Sequence, residues 1–252
     1  MQSSCVSIEP LETKLGRKRK INQSTCNKDY TCLKGFCPSF VSVDAQLQAR
    51  TTSHKIDGLP DPKHKVSDGV SNIILTGIGG TGVLTVSAIT AMAAHYEGKE
   101  STILDMTGLA QKGGAVWSHI KIYEKNVKTF SHKIAPASAN LFLACDAVVG
   151  TKPEIQEVLS DKKTYSIINS DTIPVADFVT NRDLDFKDDE VLKVIDKTTK
   201  DIDITVPAIK IAENLCGDAI AANIMMLGAA YQLGHIPLKE ESMKYALNVN
   251  GI

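Results

Sequence analysis

The sequence predicts an α/β fold: a Rossmann-like, open and mostly parallel sheet with flanking helices, preceded by an irregular cysteine-rich segment. An apolar run at residues 73–75 leads directly into a glycine-dense turn, and a proline-free stretch of apolar and small residues follows at 83–96. Further short apolar runs then alternate with helical patterns as far as residue 248. Strand, tight turn and helix in this order, repeated along a chain, are typical of α/β folds.

Size and composition limit the possible functions. The chain has 252 residues, with 28 Lys and Arg against 29 Asp and Glu, so bulk charge indicates neither nucleic acid nor a membrane as partner. No apolar run approaches the roughly 20 residues of a membrane span, and the N-terminus has no apolar signal core. We therefore expect a cytoplasmic protein, in which cysteines bind metals or lie in the core rather than form disulfides.

The first 43 residues form the predicted cysteine-rich segment. They show little periodicity and much Ser, Thr, Lys and Asn, so they cannot bury enough apolar surface to fold alone. Four of the six cysteines lie here: Cys5, Cys26, Cys32 and Cys37. Four thiolates suit zinc or an iron–sulfur cluster. The spacing differs from the paired C-x-x-C of zinc ribbons, and a proline directly after the last cysteine is common in cluster-binding runs.

Residues 44–69 are predicted to be a linker, because Pro60 and Pro62 force extended or turn geometry within a polar stretch. The α/β domain is predicted over 70–252. Its strands are expected at 71–76, 101–105, 116–122, 141–149, 164–169 and 202–206. Its helices are expected at 83–96, 152–159, 189–197, 219–233 and 239–248. The strand at 116–122 alternates apolar and polar residues, which is typical of an edge or half-buried strand and places His119 on the surface. Cys145 and Cys216 are predicted to be buried core thiols.

The turn after the first strand is the first candidate binding site. Gly77, Gly79 and Gly82 fit the G-x-G-x-x-G dinucleotide fingerprint, and Asp105 lies roughly where that fingerprint places an acid for a ribose hydroxyl. Glycines permit positive φ and a close approach of ligand to main chain. The N–H groups at the start of the following helix offer an anion site. This pattern predicts a nucleotide-binding site, with NAD as one candidate.

A second glycine-containing loop follows the second strand, at residues 106–115. Ligands in open α/β sheets bind at the carboxyl ends of the strands, so this loop is expected at the same edge as the turn. The candidate cofactor-binding residues of the two loops are Gly77, Gly79, Gly80, Thr81, Gly82, Thr107, Gly108, Gln111, Lys112, Gly113 and Gly114.

The two glycine loops, at 76–82 and 105–114, resemble the gamma domain of 2-oxoacid:ferredoxin oxidoreductases. The Ala-Gln-Lys-Gly-Gly version at 110–114 is similar to the indolepyruvate ferredoxin oxidoreductase branch. The cysteine block at 26–40 resembles the tail of the thiamine-diphosphate domain in the long, fused form of that enzyme. The glycine turn alone is weakly specific, but the cysteine block joined to the Gln-Lys-Gly-Gly loop is strongly specific.

The resemblance implies a concrete chemistry. Such enzymes decarboxylate a 2-oxoacid on thiamine diphosphate and Mg²⁺, oxidise the product through iron–sulfur clusters, pass the acyl group to coenzyme A and reduce ferredoxin. By similarity, a [4Fe–4S] cluster would be held by Cys5, Cys26, Cys32 and Cys37. The glycine turn would face coenzyme A phosphates or a subunit interface rather than NAD. The implied substrates are indolepyruvate and other aryl pyruvates. The implied partners are ferredoxin and the other domains or subunits of a homo- or hetero-oligomer.

The chain departs from the family in one respect. It contains no Gly-Asp-Gly followed by a distant Asn, the motif that holds the metal and diphosphate of thiamine diphosphate. Its first residues resemble the end of a domain, and residues 250–252 resemble the middle of one. We therefore expect a fragment or split subunit, truncated at its C-terminus and inactive alone, and the sequence identifies no catalytic residue.

Two alternatives remain open. A free-standing NAD-binding oxidoreductase is supported by Gly77, Gly79, Gly82 and Asp105, but leaves the cysteine block and the second glycine loop unexplained. A zinc-stabilised nucleic-acid adaptor is supported by the four thiolates and the basic run at 17–20, but leaves the whole α/β domain unexplained.

Overall fold

A computed structural model of the protein describes residues 7–23, 26, 44, 58–65, 69–108, 114–128, 131–171, 181, 183 and 188–251. The strands in these ranges are β1 (Ile8–Thr13), β2 (Gly16–Ile21), β3 (Val70–Ile78), β4 (Glu100–Thr107), β5 (Ala115–Tyr123), β6 (Leu141–Ala144), β7 (Tyr165–Asn169) and β8 (Asp201–Val206). The helices are α1 (Val83–Tyr96), α2 (Ala147–Gly150), α3 (Pro153–Gln156), α4 (Asp188–Thr198), α5 (Ala208–Cys216), α6 (Ala222–Gln232) and α7 (Glu240–Val249), with a 3₁₀ turn at Ala219–Ala221.

One sheet contains all the described strands from β3 onwards, in the order β4-β5-β3-β6-β7-β8. The pairs β3–β6, β6–β7 and β7–β8 are parallel, whereas β5 is antiparallel to both β3 and β4. Among the six described strands of this sheet, only β5 therefore runs against the other five, which confirms the prediction of a mostly parallel sheet. The carboxyl ends of β3, β4, β6 and β7 consequently meet at one edge.

Helices cover both faces of this sheet. In β3, Ile73 and Leu75 point into a core formed with α1, α5, α6 and α7, while Ile74 points into a second core formed with α2, α3 and α4. Both cores are built mainly from buried aliphatic side chains, and the largest fully buried side chain is the aromatic ring of Phe142. The alternation along β3 thus places one apolar set on each face, as expected for a strand buried on both sides.

The prediction that β5 is an edge or half-buried strand with His119 on the surface is wrong. Strand β5 lies between β3 and β4, and His119 is only 1% exposed. Residues 131–139 cover this face: the N–H of Ile134 approaches His119 Nδ1 at 3.4 Å, and Lys121 Nζ donates to the carbonyl oxygen of Ser131 at 2.7 Å. Burial, reinforced by the positive charges of Lys133 and Lys121, lowers the pKa of His119 to about 4. The imidazole is therefore neutral at physiological pH.

Helix α1 has the predicted bounds, but the region after β8 differs from prediction. The sequence pattern ends the last strand at Pro207 without a helix; the structure places α5 there, with Ala208 and Ala212 packed in the core. Cys216 ends α5 and is exposed, so its prediction as a core thiol is wrong, whereas Cys145 is buried as predicted. The strand predicted to extend to residue 149 stops at Ala144, because the Asp146 side chain accepts the N–H of Val149 at 2.8 Å and caps α2.

The predicted irregular segment contains a β-hairpin. Strands β1 and β2 pair antiparallel, and the basic residues of β2 face acids across the pair, with Arg17 bridged to Glu12 and Lys20 to Glu9 at 3.2 Å. The Asn22 amide then donates to Glu213 Oε1 on α5 at 3.0 Å, so the hairpin contacts the α/β body. Two cations of the basic run are therefore paired within the hairpin, which weakens the support for a nucleic-acid adaptor.

Residues 58–65, part of the predicted linker, lie against the body at the amino ends of β7 and β8. Gln232 Nε2 donates to the carbonyl oxygen of Pro60 at 2.9 Å. The N–H of Lys65 donates to the carbonyl oxygen of Gly234 at 2.8 Å. Lys65 Nζ also bonds Asp203 Oδ2 at 2.9 Å. The domain boundaries proposed from the sequence stay a prediction, but this stretch is fixed to the domain that follows it. None of the described helices has both the length and the apolar composition for a membrane crossing.

Candidate functional site

The candidate site lies where the sheet connections change direction. From β3 the chain passes through α1 to β4 on one side, whereas β6 leads through α2 and α3 towards β7 on the other. Ligands of open α/β sheets bind in the crevice that such a reversal leaves at the carboxyl ends of the strands. Here the ends of β3 and β6 are held together, because the Thr76 hydroxyl donates to the carbonyl oxygen of Asp146 at 2.8 Å.

The end of β3 and the turn after it have a defined shape because three glycines there are needed sterically. A Cβ on Gly77 would lie 2.4 Å from Val83 Cγ2, so only glycine lets α1 pack this closely against the strand. Gly80 and Gly82 have φ of 90° and 88°, which L side chains rarely adopt. Asn223 of α6 donates to the carbonyl oxygen of Thr81 at 2.7 Å and holds the turn from outside. The turn is therefore fixed before any ligand arrives.

The N-terminus of α1 opens onto this turn. Among the described residues no side chain caps Gly82, and the first turn of α1 has no acidic residue. The first amides that bond within the helix are those of Thr85 and Val86, which both donate to the carbonyl oxygen of Gly82. The preceding helical amides and the helix dipole favour an anion at this end. The arrangement can therefore bind a phosphate group.

The second glycine loop contacts the first directly. The N–H of Gly79 donates to the carbonyl oxygen of Gly114 at 2.7 Å, and Thr107 and Gly108 are exposed at the end of β4 on the same edge. The predicted contact residues Gln111, Lys112 and Gly113 lie outside the described residues. The structure thus brings Gly77, Gly79, Gly80, Thr81, Gly82 and Gly114 together, whereas Thr107 and Gly108 lie at the same edge of the sheet but two strand spacings away. Their roles in binding stay a prediction.

Asp105 does not occupy the position of the ribose-binding acid of a dinucleotide site. Strand β5 separates β4 from β3, so Asp105 lies two strand spacings, roughly 10 Å, from β3 instead of one, and it is level with Leu75 rather than with the turn. Its Oδ1 accepts hydrogen bonds from Ser118 at 2.5 Å and Ser87 at 3.2 Å. The carboxylate thus joins α1 to β5, which argues against the NAD alternative.

Sequence reasoning missed the polar residues at the ends of β6 and β7. Asp146, Asn169 and Asp171 line a small cavity of about 40 Å³ after the ends of β6 and β7, together with Ala147, Val148, Ser170, Val191 and Leu192. The Asn169 amide donates to the carbonyl oxygen of Cys145 at 3.1 Å and accepts the N–H of Ala208 at 3.1 Å. A signal was available, since Asp146 and Asn169 each end or follow an apolar run. The cavity has room for about one water rather than a cofactor.

The buried Cys145 is not suited to metal binding or nucleophilic chemistry. Burial raises the pKa of the Cys145 thiol, and the charge of Asp146 raises it further, so this thiol stays protonated. In the described part of the chain, no group of three or more His, Cys, Asp or Glu side chains could hold a metal ion. Of the four cysteines predicted to bind a cluster, Cys26 lies within that part and Cys5, Cys32 and Cys37 lie outside it. The iron–sulfur site therefore stays a prediction.

The chain is similar to oxidoreductase subunits. The family described as "Pyruvate ferredoxin/flavodoxin oxidoreductase" matches residues 72–250, so the cysteine-rich segment precedes the matched region. The indolepyruvate oxidoreductase subunit IorB of Archaeoglobus fulgidus is 28% identical over 177 residues, which cover 70% of this chain and 83% of that protein. The ketoisovalerate oxidoreductase subunit VorA of Methanothermobacter marburgensis is 28% identical over 193 residues, 77% of this chain and 34% of that protein.

A solved structure supports the fold. The 2-oxoglutarate:ferredoxin oxidoreductase from Magnetococcus marinus, with 2-oxoglutarate, coenzyme A and succinyl-CoA bound, aligns with a TM-score of 0.53 and 17% identity. The alignment covers 73% of this chain and 27% of that one. The same architecture therefore forms part of a longer chain there.

Proposed function

The chain belongs to the pyruvate ferredoxin/flavodoxin oxidoreductase family, as a gamma-type subunit of a 2-oxoacid:ferredoxin oxidoreductase, and we propose that its enzyme oxidises aryl pyruvates, above all indolepyruvate. The Ala-Gln-Lys-Gly-Gly loop at 110–114 carries this proposal, supported by the similarity to IorB over most of both chains. A branched-chain 2-oxoacid is the second candidate substrate, because VorA is equally identical.

Coenzyme A is the proposed ligand of the two glycine loops. When bound, coenzyme A accepts the acyl group that decarboxylation leaves. The donor set fits its phosphates: the positive-φ turn at Gly80 and Gly82 and the uncapped start of α1 present backbone N–H groups, and Lys112 would add a positive charge. Asn223 and the Gly79–Gly114 hydrogen bond would position these donors without contacting the ligand.

A [4Fe–4S] cluster is proposed for Cys5, Cys26, Cys32 and Cys37. When bound, such a cluster passes single electrons towards ferredoxin. Four thiolates within the first 37 residues fit the cluster by chemistry. Cys145 is excluded as a ligand because it is buried in the core with a raised thiol pKa. Thiamine diphosphate and Mg²⁺ are proposed to be held by the partner subunits or domains, and ferredoxin is the proposed electron acceptor.

The substrate is tested on the assembly that purifies, without oxygen, with a tagged copy of this chain. Coenzyme A-dependent reduction of ferredoxin is measured with indolepyruvate, ketoisovalerate and pyruvate, and NAD is offered as the alternative acceptor. We expect kcat/KM for indolepyruvate to exceed that for ketoisovalerate by about tenfold or more, and no NAD reduction. A preference for ketoisovalerate would transfer the proposal to branched-chain 2-oxoacids, and 2-oxoacid-dependent reduction of NAD would refute it.

The cluster is tested by metal analysis of the same preparation. We expect iron and acid-labile sulfide, with visible absorbance that dithionite bleaches. Cys32→Ser should lose most of the iron, whereas the matched control Cys216→Ser, at an exposed thiol ending α5, should retain it. Zinc in place of iron, or iron unaffected by Cys32→Ser, would contradict the assignment.

A further inference from the structure

The end of the β1–β2 hairpin exposes large apolar side chains. Leu15, in the turn, is 85% exposed, the highest value among the large apolar residues of the described part of the chain, and Leu11 is 41% exposed. The turn itself is fixed, because the Thr13 hydroxyl donates to the carbonyl oxygen of Gly16 at 2.7 Å and accepts the N–H of Leu15 at 3.2 Å. A partner would therefore contact leucines whose backbone is already ordered, which lowers the cost of binding.

Two lysines without an ionic partner border these leucines. Lys18 lies directly opposite Leu11 in the register of the two strands, and Lys14 precedes Leu15 in the turn. Both lysines are exposed, and within the described residues neither ammonium group has a hydrogen bond or an ion pair. Their charges are therefore available to a partner. Leu11, Lys14, Leu15 and Lys18 are together called the hairpin tip.

The hairpin is a positive region of a nearly neutral chain. Residues 7–23 contain five Lys and Arg against two Asp and Glu, whereas the whole chain contains 28 against 29. The excess of positive charge is thus concentrated in this short segment. Such a concentration attracts an acidic surface during encounter and favours the orientation in which the two surfaces meet.

The hairpin leads directly to one of the proposed cluster ligands. Asn22, at the base of the hairpin, is 5% exposed and is fixed to α5 by its hydrogen bond to Glu213. Cys26 follows Asn22 by four residues, so their Cα atoms lie within about 14 Å of each other even if the chain between them is fully extended. A protein seated on the hairpin is consequently close to the place from which electrons leave in the proposed function.

An acidic protein fits the hairpin tip better than a nucleic acid does. Single-stranded nucleic acids are bound in cationic grooves with aromatic side chains on which the bases stack, but residues 7–23 contain no aromatic residue. The carboxylates of Glu9 and Glu12 also lie on the hairpin and would repel phosphates. Apolar side chains bordered by charges are instead typical of protein interfaces, which have an apolar core and a polar rim.

We propose that the hairpin tip is the docking surface for the acidic redox protein that accepts electrons from this oxidoreductase. Leu11 and Leu15 provide the apolar centre of the contact, and Lys14 and Lys18 attract carboxylates of the acceptor. The docking surface rests on the proposed function, because its occupant is the ferredoxin proposed there as electron acceptor.

Acetylation of lysines tests the docking without turnover. The assembly that purifies with a tagged copy of this chain is treated with acetic anhydride at low salt, with and without ferredoxin. We expect Lys14 and Lys18 to react as readily as in the isolated chain, and ferredoxin to slow their reaction severalfold. Lys162, exposed in the turn before β7, is the control and should react equally in all samples. Protection of Lys18 in the assembly without ferredoxin would show that another subunit covers the hairpin tip, and protection by RNA but not by ferredoxin would show a nucleic-acid site. Either result would overturn the inference.

Charge reversal tests the same surface during turnover. Lys18→Glu should raise KM for ferredoxin by about tenfold and leave KM for indolepyruvate unchanged. Added salt should raise KM for ferredoxin in the unmodified assembly and reduce the difference between the two, because salt screens exposed charges. Lys162→Glu is the matched control and should behave like the unmodified assembly. An equal rise in Lys162→Glu would indicate an effect of net charge alone and would contradict the proposal.

Leu15→Ser tests the apolar centre independently of charge. It should raise KM for ferredoxin severalfold at low and at high salt, and it keeps the proposal testable if Lys18→Glu does not assemble. An unchanged KM for ferredoxin in Leu15→Ser and Lys18→Glu, in an assembly that reduces ferredoxin, would overturn the inference and leave the proposed function intact. If the assembly reduces no ferredoxin with any 2-oxoacid, the proposed function fails and the inference with it.

Discussion

The N–H of Gly79 and the carbonyl oxygen of Gly114 are joined by a hydrogen bond of 2.7 Å. This bond links the turn that follows β3 to the residue that precedes β5. It forms because β5 runs antiparallel beside β3, so that one strand ends where the other begins. The two glycine loops are therefore in direct contact, and a substitution in either loop is expected to affect both.

Gly77→Ala should destabilise the fold. The new methyl group would lie 2.4 Å from Val83 Cγ2, and Val83 is buried and stiff about χ1. We expect a loss of about 1–3 kcal/mol in the free energy of unfolding, measured by urea denaturation. Gly228→Ala on α6 is the control: with no described atom within 4 Å of its Cβ, it should stabilise by about 0.5–1 kcal/mol. Equal effects of the two substitutions would show that the tight strand–helix contact is absent.

Gly234→Ala should release residues 58–65 from the body. Gly234 and Gly217 both have positive φ, 83° and 75°, so alanine strains the backbone at either position. Only at Gly234 would the Cβ also meet the carbonyl oxygen of Lys63, at 2.1 Å; at Gly217 it meets no described atom within 4 Å. Hydrogen exchange of peptides covering 58–65 should therefore accelerate in Gly234→Ala and stay unchanged in Gly217→Ala. Unchanged exchange in both variants would mean that the contact does not hold this segment.

His119 should make the fold less stable in mild acid. Its pKa is about 4 in the folded chain, below the ordinary 6.5, so the unfolded chain binds a proton that the folded chain does not. The stability that depends on neutral His119 is therefore complete above pH 6.5. As the pH decreases towards 4, the free energy of unfolding falls, by about 2 kcal/mol between pH 7 and pH 5. The difference in unfolding free energy between the unmodified chain and His119→Gln, measured across this range, should show that slope. A pH-independent difference would indicate that His119 is accessible to solvent.

Lys112→Met should weaken the use of coenzyme A. If Lys112 contacts a phosphate, its loss should raise KM for coenzyme A by about tenfold and leave KM for the 2-oxoacid unchanged in the purified assembly. Lys125→Met, at an exposed position in the turn after β5, is the control and should leave both constants unchanged. A rise in KM for the 2-oxoacid alone would contradict the assignment and indicate that Lys112 contacts the 2-oxoacid instead of coenzyme A.

The sequence was sufficient where local chemistry decides the structure. The bounds of α1 follow from the glycines before it, the lack of proline within it and Gly98 after it, and both glycine loops were predicted at the correct edge. The sequence was insufficient where contacts between residues far apart in the chain decide the structure. The alternation of apolar and polar residues in β5 indicates two faces. That the polar face is also covered depends on residues 131–139, which come later in the chain. The hairpin depends on cross-strand pairs such as Glu9 with Lys20, which apolar periodicity does not reveal.

The candidate site divides in the same way. The glycines were predictable because the turn needs them in its own backbone. For Asp146 and Asn169 the sequence shows only that each ends or follows an apolar run, because their place relative to β3 depends on β6 and β7 following β3 in the sheet. The displacement of Asp105 has the same origin, since the insertion of β5 is a property of the strand order.

The most direct measurement asks whether oxidation of the 2-oxoacid requires this chain. The remaining subunits of the enzyme are produced without it, and coenzyme A-dependent reduction of ferredoxin by indolepyruvate is followed as purified chain is added back without oxygen. We predict almost no reduction at first and a rate that rises with added chain until it saturates. A full rate without the chain, or no rate after its addition to otherwise competent subunits, would contradict its role as a subunit of this oxidoreductase.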